Sequence, residues 1–351
     1  MRTPKETRIG KRRIGRTQPV FVVAEISGNH NHDLTRALSI IDAAAEAGAD
    51  AIKLQTYTAD TMTLKSERPE FQVIWQGKKR TLHDLYQEAH TPWEWHMKLF
   101  AHAKKRGLIC FSSPFDPTAV DFLEKLGNPI YKVASFEVVD IPLLERIGKT
   151  RKPVIMSRGM ATIDEIRLAL TTLKKFGCPR VILLQCVSEY PARPEDMNLA
   201  TIPEMRSRFA VPVGLSDHTL SPYVAVAALA LGARVVEKHL TLRRPDGGPD
   251  AAFSLEPHEF SELVRALRET ERAIGKVSYK RPRGESESVM HRKSLFVVAD
   301  MKKGERFTAG NVRSIRPGNG LAPKYYRQVL GKRARKDIAR GTPLSRRHVS
   351  R

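Results

Sequence analysis

The strongest constraint on the fold is a period. Between residues 20 and 275 a short apolar run is followed by a helix-forming segment, and the pattern occurs eight times. The runs are VFVVAE (20–25), ADAIKLQT (49–56), LICFSS (108–113), PIYKVAS (129–135), PVIMS (153–157), RVILLQC (180–186), VPVGLS (211–216) and ARVVEKH (233–239). The helical segments stop at Gly48, Gly107, Gly127, Gly177, Gly232 and Gly275, where the turn after a helix favours a residue without a Cβ. Strand, helix and strand in succession make a βαβ unit, so neighbouring strands run parallel. Eight such units in roughly 255 residues match the size of a (β/α)8 TIM barrel. The alternative is an open doubly wound sheet, but no G-x-G-x-x-G follows the first strand.

A barrel does its chemistry at the carboxyl ends of its strands, and polar residues gather there. Glu25 ends the first strand, and the second carries Lys53 and Gln55. Ser112 and Ser113 end the third, and Lys132, Ser135 and Glu137 follow in the fourth. Ser157 ends the fifth, and the sixth leads to Ser188 and Tyr190. The seventh leads to Ser216 and His218, and the eighth to Glu237 and His239. Ionisable groups inside apolar strands are costly unless paired or used. One of them alone reads as an ion pair filling the barrel; a ring on one rim reads as an active site.

His218 and His239 close adjacent strands. They can share a divalent metal whose remaining positions go to water and substrate, or they can be hydrogen-bonded core histidines. Lys53 and Lys132, with the hydroxyls of Ser135, Ser157, Ser188 and Ser216, suit a small polyanion bearing phosphate and carboxylate. A barrel lysine can equally form a Schiff base.

The chain has 351 residues, more than one core comfortably takes, so a large domain plus a small one is expected. No apolar run approaches the roughly 20 residues of a membrane span, and no signal-peptide core follows the basic start, so the expected location is the cytoplasm. Three cysteines are too few for a disulfide framework, and Cys110 and Cys186 read as buried reduced thiols. Sixty Lys and Arg against 38 Asp and Glu give a net charge of +22. The excess reads as spread along the chain apart from GKRRIGR (10–16), YKRPRGE (279–285) and LSRRHVSR (344–351). Without an aromatic-interleaved basic motif, a solvated basic surface is expected rather than a nucleic-acid face, with an anionic substrate as a secondary contributor.

Five blocks make the chain resemble a known family. VVAEISGNHNHDLTRALSIIDAAAEAGADAIKLQTY (22–57), YKVASFE (131–137), SRGMAT (157–162), GLSDHT (214–219) and VVEKHLTLRR…GPDAAFSL are similar, in order, to sialic-acid-type synthases. That family condenses phosphoenolpyruvate with an acylamino sugar to make a nonulosonic acid. LYQEAHTPWEWH, GGPDAAFSLEP and SIRPGNGLAPKYY most resemble its pseudaminic acid branch. The acceptor of that branch is 2,4-diacetamido-2,4,6-trideoxy-β-L-altropyranose. Ser188 stands where the N-acetylmannosamine enzymes usually have Asn. The neighbouring alternative is an N-acetylneuraminate or legionaminate synthase with another acceptor. The remote one is an inactive carbohydrate- or nucleic-acid-binding protein, against which stands the intact rim.

The resemblance also implies the rest of the organisation. Residues 1–19 are a basic N-terminal segment, 20–275 the synthase barrel, 276–288 a linker and 289–351 a small antifreeze-like (SAF) domain. In the family this domain caps the barrel mouth of a second subunit in a homodimer and presents an arginine, here Arg316. His218 and His239 are implied to hold Mn2+, with Mg2+ or Co2+ as substitutes, polarising the open-chain aldehyde of the sugar. Lys53, Lys132, Ser135, Ser157, Ser188 and Ser216 are implied to bind phosphoenolpyruvate, which removes the Schiff-base option. Glu25 is implied to position or deprotonate the attacking water. Gln55, Glu137, Tyr190, Asp250 and Arg316 are implied to contact the sugar. Neither a nucleic acid nor a membrane is expected as a partner.

Overall fold

The computed structural model of the chain describes residues 6–10, 12–15, 17–75 and 77–350. It divides into two compact units, Met1–Gly275 and Lys276–Arg351.

The basic segment expected at 1–19 is more than a charged tail, although residues 1–5, Lys11 and Arg16 lie outside the described residues. Two short strands, β1 (Thr7–Ile9) and β2 (Arg12–Ile14), pair as an antiparallel hairpin. Their side chains alternate: Arg8 and Arg13 are exposed, whereas Ile9 and Ile14 are buried with Phe21, Phe111, Ile155 and Ile182. One isoleucine on each strand, each next to an exposed arginine, carries the segment into the core.

Next come β3 (Phe21–Glu25), α1 (Leu34–Glu46) and β4 (Ala51–Thr56). The segment after the second barrel strand has structure of its own. It contains α2 (Ala59–Met62), the antiparallel hairpin β5 (Gln72–Trp75) and β6 (Lys78–Thr81), and α3 (Leu82–Ala89), ahead of α4 (His96–Lys105). The alternation then resumes with β7 (Ile109–Pro114), α5 (Pro117–Lys125), β8 (Tyr131–Val133) and α6 (Ile141–Lys149). It continues with β9 (Val154–Ser157), α7 (Ile163–Lys175), β10 (Val181–Cys186) and α8 (Thr201–Phe209). It closes with β11 (Val213–Asp217), α9 (Pro222–Ala230), β12 (Val235–His239) and α10 (Pro257–Ile274). Side-chain caps at Asp33, Asp116, Asp140, Thr162 and Ser221 satisfy the first free N–H groups of their helices.

β3, β4 and β7–β12 form a closed, all-parallel barrel. Because side chains alternate along a strand, each strand serves two cores. Val22, Ala24, Ile52, Leu54, Leu183 and Val236 pack outward against the helices. Phe21, Val23, Ala51, Phe111, Ile155, Ile182, Leu184 and Val235 pack inward. Inside, apolar residues occupy the amino-terminal half of the strands and polar residues the carboxyl-terminal half.

The second unit holds β13 (Ser294–Val297) paired antiparallel with β14 (Val312–Ile315), and the short α11 (Tyr326–Val329). Its core is small: Leu295, Val297, Met301, Phe307, Val312, Val329, Ile338 and Leu344 with a few neighbours. Here the charge expectation needs correcting. Residues 276–351 carry 21 Lys and Arg against 5 Asp and Glu, so +16 of the net +22 lies in this unit. Its small core leaves most positions at the surface, where cations need no partner.

Candidate active site

The polar half of the barrel interior follows from register. His239 lies beside Glu25, and Glu25 beside Lys53, on three successive strands. In the adjoining row Cys186 lies beside Ser216, and Ser216 beside Glu237. Gly214, one step below, keeps the row tight: a Cβ there would stand 2.5 Å from the Val235 carbonyl and 2.6 Å from Leu184 Cδ2.

Lys53 Nζ lies 2.5 Å from Glu25 Oε2 and 3.5 Å from Glu237 Oε1. Lys132 Nζ donates to Ser157 Oγ at 2.8 Å and lies 3.7 Å from the same Glu237 oxygen. Ser216 Oγ donates to that oxygen at 3.2 Å. Glu25 Oε1 also accepts from the Ser27 N–H at 2.9 Å and from Gln55 Nε2 at 3.3 Å. All four charged groups are at most 5% exposed, so their interactions run in a low dielectric. Burial raises the Glu25 carboxyl despite Lys53, and nearby Glu237 adds to the rise. Burial also lowers the Lys132 ammonium. For Glu237 the two lysines outweigh burial and hold it ionised.

The loops after β8, β9 and β10 converge above this floor. Gly159, at φ +38°, is their meeting point: a Cβ there would lie 2.5 Å from Ser135 Oγ and 2.7 Å from Ser188 Oγ. Ser188 Oγ is buried without a hydrogen-bond partner, as is Glu137 Oε2. Burial lifts the Glu137 carboxyl to about 7. Asp250 Oδ2 accepts a short hydrogen bond from Ser27 Oγ and another from the Gly28 N–H at 3.3 Å. Tyr190 lies on His218, ring centres 4.4 Å apart.

The His218 and His239 rings are 5.4 Å apart, edge to face. His218 Nδ1 pairs with the Val187 carbonyl at 2.7 Å, so Nδ1 carries the proton and Nε2 keeps its lone pair. His239 Nδ1 is buried without a partner, and burial followed by the neighbouring cations holds its pKa well below the ordinary value. Neutral imidazole is the ligating form. His239 is held in it, whereas burial of His218 is outweighed by Cys186 and the Val187 carbonyl, which raise its pKa, so the pair fits a divalent cation that displaces the His218 proton. Among the described residues no cluster of three or more His, Cys, Asp or Glu forms a closed cage, which leaves the other positions to water and substrate.

A cavity of about 570 Å³ is lined by Lys53, Gln55, Lys132, Ser135, Glu137, Ser157, Tyr190, Ser216, His218, His239 and Asp250. Glu25 sits beneath it through Lys53 and Gln55, and Ser188 beside it through Gly159. Arg316 lies in the second unit, exposed, on the turn after β14. A depression of about 780 Å³ at the opposite barrel end, lined by Ile9, Arg12, Asp50 and Lys104, gathers no comparable polar ring.

Two residues acquire a place that the sequence reading did not assign. Glu237 anchors both lysines, and its signal was parity: in VVEKH it shares a face with His239, while Lys238 points away and pairs with Asp217 at 2.7 Å. Cys186 was expected to be an inert buried thiol, yet it lines the cavity. Burial pushes that thiol up, but His218, Ser135 and Lys132 more than offset this and bring it down to about 7.

A closed parallel barrel with two buried lysines, clustered serine hydroxyls and a histidine pair at its carboxyl-terminal rim is an enzyme scaffold built around a small polyanion. The chain belongs to the NeuB family, whose model matches residues 40–279, and the SAF domain model matches residues 292–349. It is 41% identical over 341 residues to the pseudaminic acid synthase of Helicobacter pylori, covering 95% of this chain and 99% of that one. It is 43% identical to the pseudaminic acid synthase of Campylobacter jejuni (serotype O:2), covering 93% and 95%. Among solved structures, the N-acetylneuraminic acid synthetase of Leptospira borgpetersenii in complex with citrate superposes with a TM-score of 0.73 at 34% identity. That superposition covers 82% of this chain and 95% of that one.

Proposed function

We propose that this protein condenses phosphoenolpyruvate with 2,4-diacetamido-2,4,6-trideoxy-β-L-altropyranose and water, releasing pseudaminic acid and phosphate. The observation that carries the reading is the pair Lys53 and Lys132, buried within reach of Glu237 and serine hydroxyls. It occurs in a chain more than 40% identical to two pseudaminic acid synthases.

Lys53, Lys132, Ser135, Ser157, Ser188 and Ser216 receive the phosphate and carboxylate of phosphoenolpyruvate. Both lysines are then saturated by anions and stay protonated, which leaves no free amine for a Schiff base. Carbon 3 of phosphoenolpyruvate attacks the aldehyde carbon of the open-chain sugar and forms the new C–C bond. Water adds at carbon 2, and the tetrahedral product expels phosphate by C–O cleavage. Glu25, with its raised pKa, takes the proton of that water, and its charge faces the positive centre developing at carbon 2. Gln55, Glu137, Tyr190 and Asp250 contact the sugar; the unpartnered Glu137 Oε2 has room for one of its donors. A divalent cation held by His218 and His239, Mn2+ with Mg2+ or Co2+ as substitutes, supplies Lewis-acid polarisation of the aldehyde.

The protein works as a homodimer in which the second unit of one subunit brings Arg316 to the other's sugar. The carboxyl-terminal end of the barrel, two of its loops and the first turn of α9, supports this. Phe136 (59%), Met160 (58%) and Tyr223 (78%) are exposed there, an apolar rim of the kind that marks an interface. The cytoplasm is the proposed compartment, consistent with three free, buried cysteines. Among the described residues no helix is long and apolar enough to cross a membrane.

The test is phosphate release by metal-stripped protein given phosphoenolpyruvate and each candidate sugar, before and after addition of Mn2+. Metal-dependent release with the trideoxy-altrose sugar alone is the expected result. Release only with N-acetylmannosamine would discard the acceptor, and no release with any sugar would discard the reaction.

A further inference from the structure

Ser27, in the loop between β3 and α1, joins three residues of the site with one backbone N–H and one hydroxyl. Its N–H donates to Glu25 Oε1 at 2.9 Å. Its Oγ accepts from Gln55 Nε2 on β4 at 2.9 Å and donates to Asp250 Oδ2 in the segment between β12 and α10. The direction of each bond is forced. A carboxylate only accepts, so the single hydroxyl proton goes to Asp250 and the oxygen must take its N–H from Gln55. The other N–H of that amide points to Glu25 Oε1 at 3.3 Å. With both protons spent, Gln55 has only its carbonyl oxygen to present to the cavity it lines. Asp250 lines the same cavity, and its Oδ2 is taken by Ser27 and by the Gly28 N–H at 3.3 Å, which leaves Oδ1. Burial raises the Asp250 carboxyl, and the Ser27 hydroxyl is the foremost effect opposing that rise.

The backbone supplies a second observation. Ser27 sits at φ +46°, in the left-handed region that favours glycine. Such strain persists where the surroundings over-determine it, and it clusters at functional sites. The two loops are held by other bonds. Asn29 Nδ2 donates to the Leu240 carbonyl at 3.0 Å and to Ser254 Oγ at 2.8 Å, and Trp75 Nε1 donates to the Pro249 carbonyl at 3.0 Å. What the Ser27 hydroxyl fixes is therefore the orientation of two side chains rather than the course of the chain.

We infer that Ser27 is a positioning residue for the acceptor sugar: its hydroxyl sets Gln55 and Asp250 so that both meet the sugar as hydrogen-bond acceptors, beside the base Glu25. The inference rests on the reaction proposed above and deepens it, because two acceptors call for donors on the sugar, hydroxyl O–H or amide N–H groups. Phosphoenolpyruvate, whose ionised oxygens are all acceptors, offers them nothing.

The test uses Ser27→Gly in the full chain. Glycine accepts this φ, and relief of strain offsets the extra freedom it gives the unfolded chain, so the thermal midpoint should stay close to that of the unaltered protein. With Mn2+ and 2,4-diacetamido-2,4,6-trideoxy-altrose, kcat/KM for the sugar should fall about 10- to 100-fold, the effect of losing a hydrogen bond to a charged group. Kd for phosphoenolpyruvate, titrated without sugar, should be unchanged, whereas a general loosening of the site would weaken both. In an Asp250→Asn background Ser27→Gly should cost at most about threefold more, because side chains in one network are not additive. An unchanged kcat/KM for the sugar, equal losses for sugar and phosphoenolpyruvate, full additivity with Asp250→Asn, or a collapse of the thermal midpoint overturns the role of Ser27 and leaves the reaction standing. No phosphate release by the unaltered protein with any sugar overturns the reaction, and the role of Ser27 with it.

Discussion

The Lys53 ammonium lies 2.5 Å from the Glu25 carboxylate on the neighbouring barrel strand, and both side chains are at most 5% exposed. So close a buried pair is a working arrangement rather than a stabilising one, because desolvating two ions offsets most of their attraction. Glu25→Gln keeps the shape and removes the base. Phosphate release should fall about 10²- to 10⁴-fold, while KM for phosphoenolpyruvate changes little. Steady-state kinetics checks both, and unfolding by urea should show a structure still intact.

Lys132, buried against Ser157 and Glu237, is the proposed second anchor for the anion. Lys132→Ala should raise KM for phosphoenolpyruvate by at least about tenfold, the effect of losing roughly one charge-assisted hydrogen bond. Lys132→Arg should not restore it, because a planar guanidinium cannot reproduce a point charge hydrogen-bonded to Ser157 at 2.8 Å. Isothermal titration with phosphoenolpyruvate, without sugar, separates this loss from any catalytic one.

Glu137 makes a pH prediction with a definite sign. Burial lifts its carboxyl from the ordinary value of 4.5 to about 7 in the folded chain. Between those values the folded state holds a proton that the unfolded state has released. Its contribution to stability is therefore full below the lower value and is lost as pH rises through the upper one. The unfolding free energy from denaturant titrations should decline across that window, by at most about 3 kcal/mol. Glu137→Gln, which has no proton to lose, should flatten the decline.

Ile14 carries the N-terminal hairpin into the barrel interior. Ile14→Ala should cost about 2 to 5 kcal/mol, as for other buried aliphatic truncations. Urea unfolding measures that cost, and assays well below the midpoint should show near-normal turnover because the active rim is at the other end of the strands.

Arg316 tests the proposed dimer. Arg316→Ala should raise KM for the sugar and leave phosphoenolpyruvate binding intact. Mixing it with Glu25→Ala should restore about a quarter of normal activity if the arginine acts across subunits and the subunits exchange at random, by site counting alone. Absence of any restoration, in mixtures where mass spectrometry detects mixed dimers, rules against an arginine shared across subunits.

Much of the site was legible because a strand's side chains repeat every two residues. Glu25, Lys53, Lys132, Ser157, Ser216 and His239 each interrupt an apolar run near its carboxyl end, and that alone assigns them to one rim of a parallel barrel. The residue pattern also determined the number of barrel strands and the helix stops. Tertiary structure decided what depends on distances between segments far apart in the chain. It placed Glu237 against both lysines, Cys186 in the cavity, and Ser188 beside Ser135 around Gly159. It also turned a basic tail into a hairpin whose Ile9 and Ile14 join the barrel core. Periodicity is local and survives in the letters. A contact between residues 53 and 237 exists only after every intervening strand has found its neighbour, because closure of the barrel is what brings the two together.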